Sequence, residues 1–177
     1  MAALILEDKV PTNRAAFAAK VVEIAAKLKC DPNWLMFVMY LESGLKSTAK
    51  NPLGSATGLI QFIESTAKQL GTTTAALAQM SNVQQLDYVY AYFKPYVGKI
   101  KSCFDLYLIT FYPAAIGKPD SYLIGSVGNR VGETAKANPA FDINKDGKIT
   151  KGEFEASCLK RLPAQAQAYL ATQKKSA

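Results

Sequence analysis

Asp31-Pro32-Asn33-Trp34-Leu35-Met36-Phe37-Val38-Met39-Tyr40-Leu41-Glu42-Ser43-Gly44 is the stretch on which the fold turns. Aspartate is a good helix cap and proline fits the first helical turn, so a helix is expected to start at Asp31-Pro32. Trp34, Phe37, Val38 and Leu41 recur at three- and four-residue steps, and Gly44 is a residue that stops a helix. One acidic residue, Glu42, ends this apolar run. A turn-rich loop over residues 46–57 and a short motif carrying a side-chain amide, Gln61, follow it.

Outward from this segment the dominant period stays helical. Upstream, Phe17, Val21, Ile24 and Leu28 define an apolar stripe, with Thr12 as its expected cap. Downstream, a short helix is expected after Phe62, ending near Gly71. Ser81-Asn82-Val83-Gln84 has capping-box form and opens a helix reaching about Tyr96. Residues 103–112 form another apolar segment ending at Pro113. Residues 117–132 read as irregular or short helix, and helical segments run from the end of residues 142–153 to about residue 173. No alternating strand pattern of useful length appears. The expected fold class is all-α, a single domain over residues 1–177.

Composition narrows the chemistry. At 177 residues the chain suits one domain burying roughly 70% of its unfolded surface. The net charge of +7, from 21 basic and 14 acidic residues, points to an anionic partner. The basic residues are dispersed and no nucleic-acid motif is present, so no nucleic-acid partner is expected. There is no histidine, which excludes a Ser-His-Asp triad, a Cys-His dyad and a His-ligated zinc site. Cys30, Cys103 and Cys158 are odd in number and widely spaced, and read as free thiols. No apolar stretch reaches about 18 residues, so no membrane span is expected. The first nine residues do not read as a secretory signal. A phage-type lysin or virion component, or a fragment of a longer protein, is the expectation drawn from that.

Glu42 is the first candidate for chemistry. At a helix C-terminus the outward carbonyls disfavour a carboxylate, and Val38 and Met39 one turn earlier would add desolvation. Both effects favour the protonated form that a general acid needs.

The ordered series Glu42-Ser43-Gly44, Asn51-Pro52, Ala56-Thr57-Gly58-Leu59-Ile60-Gln61-Phe62, Ser65-Thr66-Ala67 and Phe111-Tyr112 resembles the catalytic domain of lytic transglycosylases and goose-type lysozymes. The resemblance covers residues 34–115, within a core of about residues 12–116. It implies an α-rich lysozyme-like fold and cleavage of the bond between N-acetylmuramic acid and N-acetylglucosamine in peptidoglycan. By the same resemblance Glu42 is the acid/base, and Ser43 and Gln61 are polar residues orienting it or the sugar. Tyr112 is a tyrosine reaching the glutamate region, Gly58 lets backbone approach the sugars, and Asn51 lines the cleft. The family's tyrosine is normally followed by Asn-Ala-Gly; here Pro113-Ala114-Ala115 follow.

Glycosidases commonly use two carboxyl groups, while some recruit the substrate as second participant. Near Glu42 the chain offers Asp31 and Glu64, and Glu64 reads as a helix-start charge. A single-glutamate mechanism is therefore preferred, closing a 1,6-anhydro ring on the muramic acid. Attack by water would make the same site a muramidase, and a wall-binding protein without turnover is a further alternative. Glycan strands are the expected partner and a monomer the expected state.

Residues 142–153 carry a second constellation. Asp142, Asn144, Asp146, Gly147 and Glu153 stand at positions one, three, five, six and twelve of a calcium-loop pattern, with Lys148 offering its backbone carbonyl. Structural calcium binding is expected there, with Thr150 acting through water. The other reading is an Asp-Gly turn before a helix capped near Thr150. Pro139 lies where an entering helix would run. A lone loop argues against a calcium sensor but leaves a calcium-dependent interaction module as a third hypothesis.

Overall fold

The computed structural model describes residues 3–52 and 54–174. Among these residues secondary structure is helical, with isolated β-bridges in place of strands. The chain forms two compact units, Met1–Leu106 and Tyr107–Ala177. No helix among the described residues is long and apolar enough to cross a membrane.

The first unit is organised by three helices, α1 (Arg14–Leu28), α2 (Pro32–Ser43) and α5 (Asn82–Phe93), with α1 packed on both α2 and α5. The expected stripe Phe17, Val21, Ile24 and Leu28 is the buried face of α1. Its start differs from expectation. Asn13, in the left-handed region at φ 53°, precedes the helix without a side-chain cap bond. The carbonyl of Thr12 instead accepts from Asn82 Nδ2 at 2.7 Å. Asn13 Nδ2 also donates to Asn82 Oδ1 at 3.1 Å. A tertiary tie between two helix starts thus replaces the local cap.

Helix α2 begins as its residues require. The Asp31 side chain accepts from Asn33 N at 2.8 Å, and Pro32 occupies the first turn. Five consecutive residues, Leu35 to Met39, are fully buried. This middle stretch has no wet face, while Trp34, Tyr40, Leu41 and Glu42 toward the helix ends are half-buried. Gly44 closes it with bonds to the carbonyls of Met39 and Tyr40. Two short helices, α3 (Glu64–Gln69) and α4 (Thr74–Gln79), pack on each other. Helix α5 opens with the expected capping box of Ser81 and Gln84, and a 3-10 turn at Lys94–Tyr96 extends it.

Helix α6 (Cys103–Phe111) spans the boundary between the units. In the second unit, α7 (Val131–Ala137), α8 (Lys151–Arg161) and α9 (Ala164–Lys174) follow. Phe154 is the centre of its core: Phe111 stacks on it at 5.1 Å, with Phe141 at 5.0 Å and Tyr107 at 5.3 Å. Phe154 is fully buried. Replacing such a ring by alanine removes its transfer free energy and leaves a cavity. Phe154→Ala is expected to cost about 3–5 kcal/mol of unfolding free energy, checked by urea denaturation of both proteins.

Candidate functional site

Glu42 stands in the last turn of α2, half-buried, one turn after the fully buried Val38 and Met39. Its neighbour Ser43 ties the helix end to the loop that follows. Ser43 Oγ lies 2.9 Å from the carbonyls of both Met39 and Leu59, so one hydroxyl proton is shared between its own helix and the loop. The loop is a small pleated tab. Thr57 bridges Lys50 on one side and Phe62 on the other, with Thr57 and Phe62 exchanging both backbone bonds at 2.9 and 3.0 Å.

Gln85, on α5, holds the same loop from within the core. Its Oε1 accepts from Leu59 N at 3.0 Å, and its Nε2 donates to the carbonyls of Ser47 and Leu77, each at 2.8 Å. The residue is fully buried and its amide is bonded at both ends. Gln85 was not among the residues singled out from the sequence. The one signal was a glutamine on the apolar face of a helix, at the step between Asn82 and Val89.

Gly58 adopts φ +80°, and a Cβ there would run into the Gln85 carbonyl oxygen and lie 3.0 Å from its nitrogen. The demand for glycine at this position therefore comes from the buried amide packed against it. Gln61 is in the left-handed region at φ 51°, and its Nε2 donates to the Gly58 carbonyl at 3.1 Å. Its amide thus braces the loop itself. Asn51 is exposed at the start of the turn, its N–H donating to the Ala56 carbonyl at 2.9 Å.

Asp31, Glu64 and Asp105 each accept a backbone hydrogen bond. Asp31 caps the opposite end of α2, about 16 Å of helix rise from Glu42, whereas paired glycosidase carboxyls stand about 5–9.5 Å apart. Glu64 Oε2 accepts from Thr74 Oγ1 at 2.6 Å and from Thr74 N at 3.2 Å. These bonds, with a smaller contribution from Lys68, hold its carboxyl below the ordinary glutamate value. Asp105 Oδ2 accepts from Lys101 N at 3.0 Å. The three cysteines are free thiols. Burial, then the charge of Asp31, pushes the Cys30 thiol up to about 12. A thiol in that range is not a nucleophile at neutral pH.

Residues 21–93 match the family model of the transglycosylase SLT domain. That segment is a lytic-transglycosylase-type, lysozyme-like domain. At family level the match supports peptidoglycan as substrate and transglycosylase activity in general. The matched stretch contains Glu42, Ser43, Asn51, Gly58, Gln61 and Gln85, and ends before Tyr112. No curated protein matches the chain.

Tyr112 belongs to the second unit, where its phenol oxygen accepts from Val127 N at 2.9 Å. Pro113 starts a 3-10 turn at Pro113–Ala115. Both residues line a cleft of about 440 Å³ shared with Arg130, Glu133 and Asn138.

The loop over residues 142–153 turns its oxygen side chains inward. Asp146 N donates to both Asp142 Oδ1 at 3.1 Å and Asn144 Oδ1 at 2.9 Å, and Gly147 N donates to Asp142 Oδ2 at 3.0 Å. Lys148 N donates to Asp146 Oδ1 at 2.9 Å. Gly147 takes φ +79°, the sharp turn for which position six needs glycine. Glu153 caps α8 with Thr150 while its Oε1 reaches Asn144 N at 3.4 Å. Burial pushes the Glu153 carboxyl up, but bonds from Thr150, Asn144 and Ile143 outweigh this and lower it. The entering helix is short, α7 ending at Ala137 before Pro139. Tyr122, Leu123 and Ile124 flank the loop, with Ile124 N donating to the Ile149 carbonyl at 2.8 Å and Leu123 bridged to Thr150. Among the described residues no group of three or more His, Cys, Asp or Glu side chains is gathered as a metal cluster.

Because Gly58 combines a positive φ with contact against a buried amide, Gly58→Ala is expected to cost about 2–4 kcal/mol. Chemical denaturation measures it, and a loss below about 0.5 kcal/mol would contradict this packing.

Proposed function

We propose that the chain is a peptidoglycan lytic transglycosylase in which Glu42 serves alone as acid and then as base. The observation that carries the reading is the half-buried Glu42 at the end of a buried helix, whose next residue is bonded to the motif loop inside the matched domain. In the first step the Glu42 O–H protonates the glycosidic oxygen as the C1–O bond breaks, releasing the N-acetylglucosamine hydroxyl. The substrate's acetamido group stabilises the cationic sugar. The muramic acid 6-hydroxyl then attacks C1, and its proton passes to the Glu42 carboxylate. The 1,6-anhydro ring closes and the acid is restored. The commitment of Asp31, Glu64 and Asp105 to backbone supports a mechanism without a second carboxylate. The net charge of +7 favours approach to anionic walls.

Purified peptidoglycan incubated with wild type and with Glu42→Gln, then resolved by mass spectrometry, tests this. Anhydro-muropeptides are expected from wild type alone. Reducing muramic ends from wild type alone would make the same acid that of a muramidase. Absence of products from both, on walls of several types, would favour a wall-binding protein without turnover.

We also propose that the loop over residues 142–153 holds a structural calcium ion. Asp142, Asn144, Asp146 and Glu153 would supply hard oxygens, and Lys148 its carbonyl, a donor set suited to calcium. The shared Asp146 N–H, which draws the Asp142 and Asn144 oxygens toward one point, supports that fit. The ion would screen the loop's carboxylates and fix the start of α8. Calcium is expected to raise the melting temperature of wild type and not that of Asp142→Ala. An equal response of both proteins to calcium and to chelator would remove the metal from this loop.

A further inference from the structure

The cleft of about 440 Å³ in the second unit lies outside the residues matched to the family, and none of the steps given to Glu42 uses it. Its volume is within the range of about 300–1,000 Å³ that small ligands occupy. Arg130, Thr134 and Asn138 recur along it at four-residue steps, so α7 and its two flanking residues lay one face against the space. Phe111, Pro113 and Val127 supply apolar wall, and Val127 is left 64% exposed. The walls are held in place without a ligand. Gly125, at φ +87°, packs so closely that a Cβ there would lie 2.5 Å from Thr134 Oγ1 and 2.8 Å from the Arg130 carbonyl oxygen. The Gly125 carbonyl accepts from Arg130 N at 2.8 Å, and the Tyr112 phenol oxygen accepts from Val127 N at 2.9 Å.

The polar groups lining the cleft form a pattern of one donor fork and two acceptors. Arg130 Nε donates to Glu133 Oε2 at 2.9 Å, which leaves both Nη groups without a protein partner among the described residues. Glu133 Oε1 is likewise unengaged there. Asn138 Nδ2 donates to the Thr134 carbonyl at 3.0 Å. A carbonyl only accepts, so this bond fixes the amide with its oxygen left over. Among the described residues no buried side-chain nitrogen or oxygen lacks a partner, so these leftover atoms are open to solvent. With side chains 71% and 72% exposed, the Arg130–Glu133 pair adds little to stability.

We propose that this cleft binds the carboxylate end of a short peptide. Arg130 takes the carboxylate through its two Nη groups, and Asn138 Oδ1 accepts a backbone N–H further along the ligand. A planar carboxylate matches the planar guanidinium fork, and amide N–H groups match the lone acceptors. Inorganic phosphate fits poorly, because it brings no N–H and Glu133 repels a dianion. Arg130 and Asn138 flank the two ends of α7, about 12 Å apart along its axis. Extended chain covers that distance in about three residues. The apolar wall between them suits side chains as small as methyl. Two sources present this chemistry. One is the peptide stem of peptidoglycan, with D-alanine carboxylates, which rests on the reading of the wall as substrate. The other is the C-terminus of an ordinary protein.

The test titrates ¹⁵N-labelled full-length protein with N-acetyl-L-Ala-D-Ala-D-Ala, its all-L isomer, the C-terminal amide of each, and inorganic phosphate. NMR follows the Arg130 Nε–H and the Val127 backbone N–H. An acid is expected to give saturable shifts at both, and its amide to bind at least about tenfold more weakly. That comparison is made on wild type and needs no variant to fold. In Arg130→Gln the acid is expected to weaken until it is within about twofold of the amide. A role for Arg130 in packing alone would weaken both probes equally. Tighter binding of the D isomer supports the site with wall stems as the source, and tighter binding of the L isomer supports it with a protein C-terminus. No saturable shift from either acid would overturn the proposal, as would equal affinity of acid and amide for wild type. Phosphate bound as tightly as the peptides would overturn it too. Binding is read without wall cleavage, so failure of the Glu42 reading would leave the site standing, and failure here would leave Glu42 untouched.

Discussion

Both backbone groups of Leu59 are held by side chains from different helices, and the arrangement of the first unit depends on that grip. The Ser43 hydroxyl donates to its carbonyl, and the Gln85 carbonyl oxygen accepts from its N–H. Gln85 then uses its nitrogen on Ser47 and Leu77, so one buried amide ties three other segments to α5. Each such bond adds only about 0.5–1.5 kcal/mol net, but a buried group left without a partner costs about 1–3 kcal/mol. The network is therefore nearly all-or-none. It explains why a glycine sits beside Gln85 and why Gln61 tolerates a left-handed backbone: the loop has one conformation that satisfies every buried group.

That constraint also shapes the surroundings of Glu42. A loop tied to the C-terminal end of α2 sets a polar surface beside Glu42, while the acid at the other end of α2 is spent on capping. Glu64 is spent on Thr74 in the same way. Carboxylates that accept backbone or hydroxyl hydrogens are stabilised as anions and make poor acids. The second unit follows a parallel logic, since Phe141 and Phe154 adjoin the two ends of the oxygen-rich loop and pack on each other at 5.0 Å. Its aromatic core thereby fixes the separation of Asp142 and Glu153.

Much of the helical order was legible because its causes are local. Asp31-Pro32, the Ser81 to Gln84 box and the stripe on α1 act within one or two turns, and each stands as read. Where the cause was tertiary, local reading failed. Thr12 has the chemistry of a cap, but its carbonyl serves Asn82 and Asn13 precedes the helix. Helix α4 escaped notice because six residues with a single fully buried side chain, Leu77, carry too little period to register. Trp34 and Leu41 are only half-buried, while Leu35, Met36 and Met39 fill the core, because the middle of α2 is enclosed on all sides and its ends are not.

The sequence by itself determined the all-α class, the absence of histidine chemistry, the ordered motif series and the candidate acid, since residue type and spacing suffice for each. Only the tertiary structure decided which polar groups meet. Gln85 lies more than forty residues from Glu42 in the chain, and its own neighbourhood offers no more than a glutamine on an apolar helix face. Its role follows from hydrogen-bond geometry, which depends on where separate helices come to rest.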